Sequence, residues 1–211
     1  MNDLFLLVAD KNARFAMEGA LRRPKALGIH PITYQFRVHS GRDGGARKSG
    51  PDILRLERKR FRHGLLVLDF EGSGTSCSSG LELEEELDDR VLSLWGRGAK
   101  AIVIEPELDV WIWGSDHAIE QEIGWPPGCG IRNWIRQQGF AIATNNKPVR
   151  PKEALEAAMH QCGLPRSSAT YQRIAESISL RRCTDDAFLR LRTTLQTWFP
   201  QQIATNPGTP D

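Results

Sequence analysis

The sequence predicts an α/β fold, a mostly parallel sheet flanked by helices, with a helical segment at its C-terminal end. Three observations carry this reading. Short apolar runs at 4–9, 32–38, 65–70 and 100–106 alternate with stretches of helical spacing. The third run, LLVLDF, is apolar on both faces, as a strand covered by helices on each side must be. Beyond Pro151 the pattern is helical only. The 211 residues suffice for one well-buried domain or a domain with a small appendage.

Taken in order, Leu4–Ala9 reads as a buried strand, and KNARFAMEGALRR places Phe15, Met17, Ala20 and Leu21 near helical spacing. Pro24 and Gly28 close that helix, and ITYQFRV reads as a second strand from its β-branched and aromatic content. HSGRDGGARKSGPD then reads as a glycine-rich loop, with Asp52 placed to N-cap a helix over 53–64. After the strand LLVLDF and a loop over 71–80, Leu83, Leu87, Val91 and Leu94 line one face of a helix whose other face is acidic. KAIVIEP is a fourth strand. LDVWIWGSD either extends it or forms a following element, and Asp116 can N-cap HAIEQEIG. A proline- and glycine-bearing stretch from 125 leads to a short helix. Three further helices follow, over PKEALEAAMHQCG, ATYQRIAESISL and DDAFLRLRTTLQTWF. The expected division is an α/β domain over 1–145, a helical extension over 146–199 and a flexible tail over 200–211.

Composition excludes some classes and names no partner. With 40% hydrophobic and 26% charged residues the chain is an ordinary globular sequence, and a net charge of +2 is too small to imply nucleic acid without clustering. The four cysteines, Cys77, Cys129, Cys162 and Cys183, form no CxxC pair, so neither a zinc ribbon nor a disulfide framework is suggested. The N-terminal apolar run is short and lacks a basic flank, and no stretch reaches the length of a membrane span. A cytoplasmic protein with no membrane partner is expected.

The chemistry-bearing pattern is LLVLDFEGSG. Strand alternation turns Asp69 and Glu71 to one side and Phe70 to the other, at the carboxyl end of a central strand, where open α/β sheets hold their ligands. Two neighbouring carboxylates repel unless a cation separates them, and a hard divalent ion, Mg2+ or Mn2+, suits oxygen donors. Acids at strand ends are also common in plain solvated turns, so the pair needs company. Asp10, after the first strand, is the natural third acid, with Lys11 beside it. Asp109 and Asp116, around the fourth strand, are further candidates, N-capping being the plainer role of Asp116. The basic stretch Arg42–Arg62, including Arg42 and Lys48, reads as a phosphate track or as a solvated face. Trp111 and Trp113 can stack on bases or fill a core. The acids from Glu82 to Asp89 form a solvated face, repel DNA or dock a basic partner. His117 can serve in acid/base work or lie on the surface.

A first strand, a helix and then a strand ending in acid-x-acid resembles the TOPRIM fold of topoisomerases, primases and OLD-type nucleases. LLVLDFEGSG, EPELDVWIWGSDHAIE and the tail RPKEALEAAM, TYQRIAESISL, DDAFLRLRTTL are similar to small TOPRIM-like bacterial proteins encoded in defence islands, including the small subunit of methylation-associated anti-phage defence systems. The resemblance implies magnesium bound by Asp69 and Glu71 for phosphoryl chemistry, and partners such as methyltransferase, ATPase or nuclease subunits. It implies Asp109, Trp111 and Asp116 as the family's acid-x-tryptophan motif. The chain departs from the pattern at VADK, where Ala9 takes the place of the family's glutamate and Asp10 that of a glycine. Two expectations follow: a degenerate site serving assembly, sensing or nucleic-acid binding, or an active Mg-dependent nuclease with Asp10, Asp69 and Glu71 as its acids.

Overall fold

The structure, a computed structural model, describes residues 1–201; nearly all of the expected tail lies outside the described residues. Among the described residues four strands, β1 (Asn2–Val8), β2 (Tyr34–Val38), β3 (Phe61–Asp69) and β4 (Ala99–Ile104), form one sheet in the order β2-β1-β3-β4. Every pairing is parallel, with Val8 beside both Val38 and Val67, and Asp69 beside Ile104. The fold is α/β, with helices on both faces.

Alternation along the strands divides the core in two. Leu4, Leu6, Val8, Leu65, Val67, Ile102 and Ile104 pack beneath α1 (Lys11–Leu21) and the C-terminal helices α8 (Pro151–Gln161), α9 (Ser168–Ser177) and α10 (Asp186–Trp198). Phe5, Leu7, Leu66, Leu68, Ala101 and Val103 pack beneath α3 (Arg42–Glu57) and α4 (Gly80–Trp95). The residues after 150 thus share one apolar core with the sheet. Between these elements lie α2 (Pro24–Leu27), α5 (Asp109–Ile112), α6 (Asp116–Ile123) and α7 (Ile131–Gln137).

The expected glycine-rich loop and the bounds of the helix after it are replaced. The glycine-rich stretch is the first half of α3, and Asp52 lies within that helix rather than capping one. Glycine is a poor helix former, yet here the sheet demands it. A Cβ on Gly50 would stand 2.9 Å from Leu66, and one on Gly45 would stand 2.5 Å from the His39 ring. Phe61, expected on the same helix, instead opens β3. Of the two readings open for LDVWIWGSD, the following element is the one that forms: β4 stops at Ile104, and residues 109–112 form one helical turn. A short apolar run buried on every side has no readable period.

The acidic face of α4 is only partly solvated. Glu84 is buried; its carboxylate accepts the Val103 N–H at 2.8 Å and pairs with Arg190 at 2.7 Å. Asp88 accepts the Ala101 N–H at 2.7 Å. Alternate N–H groups on the outer edge of β4 therefore meet side-chain oxygens in place of another strand, which blunts the edge against pairing.

Candidate functional site

The chain leaves β1 through α1 on one face of the sheet and leaves β3 through α4 on the other. The carboxyl ends of β1 and β3, adjacent in the sheet, are therefore a topological switch point, where α/β sheets open a crevice. Asp10 follows β1 and Asp69 ends β3. Both line a cavity of about 430 Å3 there, together with Arg42, Glu71 and Asp109.

Local hydrogen bonds fix the acids. Asp10 N-caps α1, its Oδ1 accepting the Ala13 N–H at 2.8 Å. Asp69 Oδ1 accepts the Leu108 N–H at 2.9 Å, and the Asp69 N–H donates to Asp43 Oδ1 at 2.8 Å. The second oxygen of each of these three carboxylates has no hydrogen-bond partner among the described residues. Glu71 is exposed in the turn after β3, held by its N–H to the Pro106 carbonyl at 2.9 Å. Strand alternation no longer applies there, because β3 ends two residues earlier. Arg47 ties that turn to α3 through the carbonyls of Ser73 and Gly74.

Crowded carboxylates resist ionisation. Burial first, then the charges of Asp43, Asp10, Asp109 and Glu107, push Asp69 well above the usual carboxylate range. Burial also raises Asp43, against the pull of the Asp69 N–H. Glu107 is pushed up to about 7 by burial and by Asp109, although Lys152 lies 3.8 Å away. Asp109 is buried and raised by that burial, with Tyr171 opposing the shift by donating to its Oδ1 at 2.6 Å.

Asp43, Glu107, Lys152, Glu153 and Arg166 also line the cavity, and none of them is a candidate from the sequence alone. Asp43 was masked by the glycines around it. Glu107 stands two residues before Asp109, a spacing that could have raised it. Lys152, Glu153 and Arg166 come from the C-terminal segment and carry no local signal.

A second cavity, of about 390 Å3, adjoins the first over the ends of β1 and β2 and shares Asp10, Asn12 and Arg42 with it. Lys11, His39 and Ser40 line it. The crevice is thus acidic over β3 and β4 and basic over β1 and β2. Arg42, at the boundary, has φ of +49°, in the left-handed region that side chains disfavour.

Other predicted residues lie elsewhere. Lys48 is exposed on α3 and lines neither cavity. Asp116 does not cap α6; Ser115 does, and the Asp116 carboxylate instead pairs with Arg132. His117 is exposed on α6. Trp111 and Trp113 are buried in the helical turn and its end, with their indole N–H groups donating to Asp185 and to the Pro151 carbonyl, so they present no face to a base. Ala9, in the place of the family glutamate, is buried in the core on the α3 side. All four cysteines are free thiols.

Hard oxygen donors suit Mg2+ or Mn2+, and Mg2+ commonly takes only one or two carboxylates and keeps several waters. Among the described residues no three acids, histidines or cysteines stand close enough to form a ready cage. The donor chemistry fits a hydrated ion on Asp69 with Glu71 or Asp10.

Fold and site define an α/β protein with an all-parallel sheet and a charge-divided crevice at its carboxyl edge. No protein-family model, curated protein or solved structure matches the chain. Among the described residues no helix is long and apolar enough to cross a membrane.

Proposed function

We propose that this chain is a subunit with a degenerate TOPRIM-like site, acting in a bacterial anti-phage defence system as an assembly, sensor or nucleic-acid-binding component. The resemblance of its strand-end motifs supplies the defence context. The observation that carries the site is the meeting of Asp10, Asp69 and Glu71 in one cavity whose neighbour holds Lys11 and Arg42. That division of charge suits a phosphate-bearing ligand bridged to a divalent ion. When bound, the ion would offset the repulsion among the carboxylates and draw a phosphate oxygen to the acidic half. Asp69 and Glu71 would hold it. Lys11 and Arg42 would balance the remaining phosphate charge, and Asp10 would fix the turn between the two halves.

The site is degenerate in this reading because Ala9 supplies no acid and faces the core. The partners proposed are methyltransferase, ATPase or nuclease subunits of the same system. An active Mg-dependent nuclease acting on DNA or RNA is the second reading, favoured by the place of Asp10 on the cavity wall beside Asp69.

One experiment separates the two. Purified protein is incubated with single- and double-stranded DNA and RNA in Mn2+, beside Asp69→Ala and Glu71→Ala. Metal-dependent binding without cleavage supports the degenerate site. Cleavage lost in both variants establishes the nuclease. Neither binding nor cleavage would remove the site from consideration.

A further inference from the structure

The basic stretch that the sequence presents as one track is divided by the fold. Arg42 stands at the carboxyl edge of the sheet, on the cavity wall. Arg55, Arg58, Lys59, Arg60 and Arg62 stand at the opposite edge, where α3 ends and β3 begins, and all five are exposed. The nine residues of β3 separate the two edges by roughly 26 Å at about 3.3 Å per residue. Arg97, exposed in the turn before β4, joins them. The Gly98 carbonyl next to it accepts the Gly64 N–H at 3.0 Å, which holds that turn against β3.

This edge is almost uncompensated. Arg60 pairs with Glu57 at 2.7 Å, while the other five cations make no ion pair among the described residues. Nearby Asp3 is engaged with Thr33, accepting both its N–H and its hydroxyl at 2.8 Å. A chain of net charge +2 has gathered acids at one end of its sheet and six cations at the other. Five of the six are arginines, whose planar guanidinium matches phosphate oxygens in pairs. Leu56, 68% exposed among them, offers an apolar contact to sugar and base edges.

We infer that this amino-edge surface binds the phosphate backbone of nucleic acid without reading sequence, at a site separate from the crevice. Such binding releases counterions, so the affinity falls steeply with salt.

The test uses the full chain with a fluorescent 20-base-pair DNA duplex and a single-stranded RNA of equal length, titrated between 50 and 200 mM salt. The log affinity should fall with log salt at a slope of about −4 for the duplex, as expected when four to five phosphates are neutralised. Arg55→Gln/Arg58→Gln/Lys59→Gln/Arg62→Gln should weaken binding by at least about tenfold and flatten the slope to about −1. The same variant should keep the wild-type Mn2+ affinity of the crevice, which makes failure here distinct from failure of the proposed site. The wild-type salt slope needs no variant to fold. Absence of binding to either probe at 50 mM salt, or equal binding by the quadruple variant, overturns the inference and leaves an acidic protein as the partner of this edge.

Discussion

Asp43 on α3 accepts the backbone N–H of Asp69 at 2.8 Å, so the strand-end acid is positioned by a second acid from the opposite face of the sheet. The contact both fixes the β3 turn and sets two carboxylates against each other. Substitution separates the two effects. Asp43→Ala leaves a partly buried N–H without its acceptor and should cost about 1–2 kcal/mol in urea unfolding. Asp43→Asn keeps an accepting oxygen and removes a charge, and at pH 8 it should lose less than half as much. Equal losses would show that a neutral acceptor cannot replace the carboxylate and that the contact depends on its charge.

The raised carboxylates give the metal-free protein a definite pH dependence. Glu107 moves from its ordinary 4.5 to about 7 on folding, and Asp69, Asp43 and Asp109 move in the same direction. Below about 4.5 both folded and unfolded chains hold the Glu107 proton. Between there and 7 the folded chain binds more protons, so stability contributed by this group is lost as pH rises. Melting temperature measured in chelator should therefore fall from pH 5 to pH 8. Glu107→Gln should flatten that fall, and millimolar Mn2+ should reverse it at pH 8 but not at pH 5.

Arg42 carries a strained backbone and, in the proposed site, a phosphate-facing charge. Glycine adopts a φ of +49° without strain. Arg42→Gly should leave stability unchanged or raise it by up to about 1 kcal/mol, while weakening Mn2+-dependent binding of a nucleotide. A loss of stability with unchanged binding would mean that the residue is structural.

Glu84 is buried with its oxygens held by Arg190 and the Val103 N–H. Removing one partner of a buried ion pair costs about 3–5 kcal/mol. Glu84→Ala should lose stability on that scale and, by uncovering the edge of β4, favour association at high protein concentration in light scattering. Asp116→Ala, which breaks the pair with Arg132 outside the crevice, should reduce stability and leave Mn2+ affinity unchanged.

The parallel sheet was legible because buried strands such as LLVLDF carry their own signal, and a strand-end acid marks the crevice once the strand is placed. Asp10 and Asp69 are placed in this way, whereas Glu71 lines the cavity from the turn beyond β3, where alternation does not reach. Asp43 was not, because Gly44, Gly45 and Gly50 argue locally for a loop, and only contact with His39 and Leu66 explains a helix there. The basic residues are legible as a cluster, but their division between two edges depends on where α3 ends and β3 begins, and FRHG joins the strand rather than the helix. Lys152 and Arg166 reach the cavity from helices far along the chain. No spacing within the sequence encodes that meeting.

The proposed site stands on a divalent ion held by Asp69 in the crevice. Calorimetric titration of Mn2+ into chelator-treated protein at pH 8 tests it most directly, with Asp69→Asn, which retains an acceptor for the Leu108 N–H, as the comparison. One saturable site in the wild type, weakened at least about tenfold in the variant, is the predicted result. No saturable site, or equal affinity in a folded Asp69→Asn protein, would contradict it.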